Sequence, residues 1–159
     1  MYRLESVIGG DAVLRRLAGS VVAARIVPLH GPLSMLLMTD EYFDAVTVPG
    51  APKLAGFWKA PAGFGSSLAA CSELGPVAYV EAEYFGGAGT QSAQVWHRGA
   101  VLLGPLHVAE NERPPADGSP ISQALRALGV RRGAHFDEFD AAGLGRHRRP
   151  EDWLARPNE

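Results

Sequence analysis

The chain has 159 residues, 47% apolar and 20% charged, with a formal net charge of -2 and a single cysteine. A domain of this length buries roughly 70% of the surface its unfolded chain exposes, so it needs neither a disulfide nor a metal to hold a core. The small net charge excludes a broad electrostatic pull on nucleic acid or on an anionic membrane, and a lone thiol excludes an internal disulfide.

The N-terminus, MYRLESVIGG, lacks the basic flank and long apolar core of a signal peptide. The apolar runs VVAARIV and LSMLLM are too short and too interrupted to cross a bilayer. The expectation is one globular domain, 1–159, in the cytoplasm, with a polar C-terminal tail from about residue 150. Arginine outnumbers lysine thirteen to two, and Ala and Gly are abundant, which is the imprint of a GC-rich bacterial genome rather than of phosphate binding.

Residues 11–18 (DAVLRRLA) predict a short helix with Asp11 as N-cap and Gly19 as its stop. Residues 21–29 and 33–38 predict two strands joined by a turn at His30-Gly31-Pro32, with Pro28 and Pro32 placing one of them at a sheet edge. Residues 40–48 fit either a strand or a helical turn. Pro49 to Gly65 predicts a long loop that carries Phe57, Trp58 and Phe64, and three aromatics there imply that it packs on the domain or lines a groove. Residues 67–74 predict a helix ended by Gly75-Pro76. The clearest strand is 77–85 (VAYVEAEYF). Its period of two puts Val77, Tyr79, Glu81, Glu83 and Phe85 on one face and Ala78, Val80, Ala82 and Tyr84 on the other, the expected core side.

Residues 92–97 and 100–104 predict a hairpin about Arg98-Gly99. After a polar loop at 110–119, Ser119 and Pro120 start a helix with Ile121, Leu125 and Leu128 as its buried stripe and Gly129 as its end. Residues 136–144 predict a further helical segment, and Trp153 and Leu154 dock the tail. The fold class is therefore α+β: a mainly antiparallel sheet, with a central meander over about 77–104 and a few short helices packed on one face.

No motif assigns a chemistry. GGAGTQ at 86–91 lacks the Gly-Lys-Ser/Thr of a phosphate loop and the spacing of a dinucleotide fingerprint, so a hairpin connection is its expected role. Glu81 and Glu83 project from one strand face about 7 Å apart. Carboxylates so paired can do acid and base work, or can simply form a solvated face. The five histidines show no metal-site spacing, and no metal or cofactor is expected. Cys71, mid-helix among small apolar residues, reads as a buried structural thiol. The acidic block Asp137, Glu138, Asp140 and the basic block Arg146, His147, Arg148, Arg149 read as a salt-bridged surface.

The leading functional expectation is a small bacterial protein-binding domain of the inhibitor or immunity type. Glu81 and Glu83 would meet a basic target, with Tyr79, Gln91, Phe57 and Trp58 as contact residues. The alternative is a small-molecule enzyme in a polar groove at the end of strand 77–85, with Glu81 or Glu83 as base and His97 as acid or orienter. A third reading is a homo-oligomer that pairs through the exposed side of 21–38. The expected partner is another protein, with no nucleic acid and no membrane.

Overall fold

In a computed structural model that describes residues 1–155, the chain builds one six-stranded sheet in the order β2-β3-β1-β4-β5-β6, every neighbouring pair antiparallel. The strands are β1 (Tyr2–Gly10), β2 (Ile26–Pro28), β3 (Leu33–Leu37), β4 (Val77–Phe85), β5 (Ala88–His97) and β6 (Ala100–Val108). The α+β class, the antiparallel sheet and the meander over 77–104 match the sequence expectation.

The element missing from that expectation is β1, a central strand of the sheet. Its residues do not alternate cleanly between apolar and polar because both of its faces are covered. Leu4 and Ile8 pack on one side, Val7 on the other, and all three are wholly buried.

The helices lie on both faces, not on one. Leu4, Ile8, Ala78, Val80, Ala93 and Val95 meet α4 (Pro120–Ala127), α5 (Glu138–Ala142) and α6 (Pro150–Trp153). Val7, Val77, Tyr79 and Trp96 meet α1 (Asp11–Ala18), α2 (Asp40–Val46), α3 (Phe64–Cys71) and the loop before α3. The physical reason lies in β4: its row Val77, Tyr79 is as apolar as its row Ala78, Val80, Ala82, so both need cover.

Local chemistry explains most boundaries. Helix α1 spans the predicted residues, but Gly10 is its cap, and Asp11 lies inside the first turn, paired with Arg15 at 2.9 Å. Only 26–28 of the predicted 21–29 strand pairs. Residues 40–46 are helical because the Thr39 hydroxyl caps the Tyr42 N–H at 3.1 Å. Gly86 and Gly87, at φ 56° and 84°, form the two-residue turn joining β4 to β5, which gives GGAGTQ the structural role expected of it. Trp153 is buried and Leu154 packs beside it, as the docking reading of the tail requires. The tail's last residues, 156–159, lie outside the described part.

Both sheet edges are blunt. Strand β2 is three residues long and ends in Pro28. Strand β6 shifts register twice against β5 and contains Pro105, which has no N–H to offer a new strand. Among the described residues no helix is long and apolar enough to cross a membrane.

Because β1 is buried from both sides, Ile8→Ala is expected to lower unfolding free energy by about 2–5 kcal/mol, measured by urea denaturation. Val22→Ala, at a side chain 98% exposed, should stay within about 0.5 kcal/mol of the parent.

Candidate functional site

The pairing of β1 with β4 sets Glu5 directly opposite Glu81, on the α1–α3 side of the sheet. Two like charges so placed repel, with side chains about 5 Å apart at Cβ. Neither is solvated: Glu81 is wholly buried and Glu5 is 3% exposed. The cover is the loop between α2 and α3, which lies across this face and brings Gly56 close to Pro105 of β6.

Each carboxylate is answered by this loop. Glu81 Oε1 accepts the backbone N–H of Trp58 at 2.7 Å, and Oε2 accepts that of Lys59 at 2.8 Å. Glu5 Oε1 accepts the Trp58 indole N–H at 3.0 Å and the Arg3 guanidinium at 2.7 Å. Arg3 also lies opposite Glu83 in the strand register. Lys59 reaches outward to Asp40 at 2.7 Å. The loop is thus held by buried acids at its centre and by an ion pair at its rim.

The proton count is informative. Tyr79 Oη stands 2.8 Å from the Lys59 carbonyl and 2.9 Å from Glu81 Oε2. One hydroxyl proton cannot serve both acceptors well. The phenol O–H is therefore shared between the Lys59 carbonyl and Glu81 Oε2. Burial pushes the Glu81 carboxyl above its ordinary value, and Glu5 adds to this, against the opposing bonds from Trp58, Lys59 and Tyr79. Burial likewise raises the Tyr79 phenol well above its ordinary value, so it keeps its proton.

The expected site residues separate. Tyr79 is wholly buried and cannot meet a partner. Phe57 turns inward, edge-on to Tyr79 with ring centroids 5.0 Å apart, and Phe64 packs on the same ring. Trp58 alone of these aromatics faces out, 44% exposed. Glu83 shares the face of Glu81 but lies further toward the end of the strand, half-buried. Gln91 pairs with Ala82 and so sits on the other face, where its Oε1 accepts the Ile121 N–H at 3.0 Å. His97 is five residues beyond Ser92, the partner of Glu81. That places it on the opposite face and roughly 17 Å along the strand, so the expected Glu and His pairing is not assembled.

Three contributors escape the sequence reading: Glu5, Arg3 and a Ser92–His107 contact. Glu5, Glu81, Ser92 and His107 follow one another across β1, β4, β5 and β6, and Ser92 Oγ lies 2.7 Å from His107 Nδ1. The pair resembles a nucleophile and its base, but Ser92 is 1% exposed beneath the imidazole. Turn arithmetic could have found part of this row: a two-residue turn at 86–87 requires 81 to face 92. Among the described residues no three His, Cys, Asp or Glu side chains come together as metal ligands.

The raised Glu81 pKa has a definite sign. The folded state holds the proton more tightly than the unfolded chain, so its stabilisation is complete below the ordinary carboxyl value of 4.5 and is lost as pH rises through the folded value. Glu81→Gln keeps the shape but loses the Lys59 bond, so it should cost about 1–3 kcal/mol in acid, and the gap to wild type should shrink as pH rises. Urea titrations across a pH series measure this, and a gap that widens would contradict an upward shift of the Glu81 carboxyl.

No known protein family, curated protein or solved structure matches the chain.

Proposed function

We propose that this chain is a protein-binding domain whose contact surface centres on Trp58 and the acidic helix α2. The observation that carries this reading is the clamp on Trp58. Its backbone and its indole N–H are each fixed by a buried carboxylate, yet almost half of the side chain remains exposed. Burying two opposed carboxylates is costly unless each gains compensating bonds, and here one bond to each carboxylate fixes the same outward tryptophan. A rigid aromatic loses little freedom on binding, and tryptophan is enriched among residues that dominate interface energy.

The acidic half of the surface moves from β4 to α2. Glu81 is unavailable to a partner, whereas Asp40, Glu41 and Asp44 of α2 are exposed and the helix carries no basic residue. Lys59 links α2 to the Trp58 loop. A basic protein surface complements this patch, in keeping with an inhibitor or immunity-type interaction protein of bacterial origin. The enzyme alternative draws less support, since its carboxylate is enclosed and its histidine lies on the other face.

Affinity capture from the native host with wild type, Trp58→Ala and Phe136→Ala tests the proposal. A partner retained by wild type and Phe136→Ala, lost with Trp58→Ala, and released progressively as salt rises is the expected outcome. Thermal melting checks that Trp58→Ala remains folded. Equal retention by all three proteins would refute a Trp58-centred surface.

A further inference from the structure

The other face of the sheet carries a second feature, independent of the Trp58 loop. Tyr2 of β1 and Tyr84 of β4 are direct cross-strand partners. Phe139 of α5 stands edge-on to Tyr2 with ring centroids 5.5 Å apart. With Gln91, Ser119, Asp137 and Pro114 these three rings line an open pocket of about 380 Å³, a volume within the range of small-molecule sites.

Most polar groups of its wall are already engaged. Tyr2 donates its hydroxyl to the Leu144 carbonyl at 2.8 Å. Gln91 Oε1 accepts from Ile121, and Ser119 Oγ accepts from the Ser122 N–H. Asp137 differs. Its Oδ1 accepts the Asp140 N–H at 2.8 Å, capping α5, and among the described residues no cation forms an ion pair with it. Arg126, in the adjoining cavity, is held by Glu138 and by the Asp117 carbonyl. Asp137 lines both cavities, whereas Arg126 and Arg132 line only the adjoining one.

We propose that the cavity bounded by Tyr2, Tyr84, Phe139 and Asp137 binds a small organic cation bearing an alkylated ammonium group. Aromatic ring faces present negative charge and attract a cation within about 6 Å of the ring centre. The bulky, weakly hydrated head of an alkylated ammonium suits a wall of rings better than a bare ammonium, which is more strongly hydrated and gives up more on leaving water. Asp137 supplies the counter-charge. An anion is disfavoured by the same carboxylate.

Choline, its neutral isostere 3,3-dimethylbutan-1-ol and a trimethyllysine peptide, each titrated into the full chain by calorimetry and by NMR shift mapping, provide the test. Saturable binding of choline is expected, with the neutral isostere at least about tenfold weaker and resonances of Tyr2, Tyr84 and Phe139 moving. Asp137→Asn retains a good N-cap residue, so it should fold normally and bind choline about fivefold or more weakly. Phe139→Leu, which keeps the bulk but removes the ring, should weaken it similarly. Equal binding of the neutral isostere, no saturable choline binding, an unchanged Asp137→Asn, or binding of the peptide alone would each overturn the proposal.

Discussion

The buried carboxylate of Glu81, held by the backbone of Trp58 and Lys59, is the interaction on which the organisation of this face depends. A carboxyl group on the interior row of β4 must find donors or it disrupts the core. The sheet cannot supply them, because β4 pairs its backbone groups with β1 and β5. Donors come from a loop rich in proline and glycine, whose own N–H groups have no regular partner in a ladder. Two needs are met by one set of contacts, and the loop acquires a fixed path.

That path has consequences for the neighbouring side chains. Once Trp58 and Lys59 are pinned, Phe57 is driven inward onto Tyr79, joining a chain of edge-on rings through Phe64 to Tyr42. The indole of Trp58 is directed across to Glu5, which relieves the repulsion of two acids that the strand register forces together. The exposed part of Trp58 is therefore a product of interior electrostatics, since its orientation is set from beneath.

The two faces of the sheet divide their chemistry. The face under the Trp58 loop places carboxylates inside and an aromatic outside. The opposite face places small residues, Ala78, Val80 and Ala82, under α4. Near the open end of β4 it widens into aromatic walls, where Tyr2 and Tyr84 face each other and short helices replace the broad contact of α4. The proposed protein surface and the proposed small-molecule pocket can coexist on one sheet because strand pleating separates their residues by alternation.

Sequence by itself determined the strand 77–85 and its two rows, the hairpin turns, the capped start of α4 and the antiparallel character, because these rest on period, turn chemistry and caps within a few residues. It also contained the register of Glu81 against Ser92, through the length of the glycine turn. Tertiary structure alone decided the rest. An uninterrupted hairpin about 98–99 pairs 97 with 100 and would set Ser92 against Pro105; the register shifts in β6 bring His107 there instead. Whether Glu81 meets water or a loop depends on how residues distant in the chain cross the sheet, and local pattern carries no record of that. The strand β1 was hidden for the same reason: covered on both faces, it lost the alternation that marks a strand with one side in water.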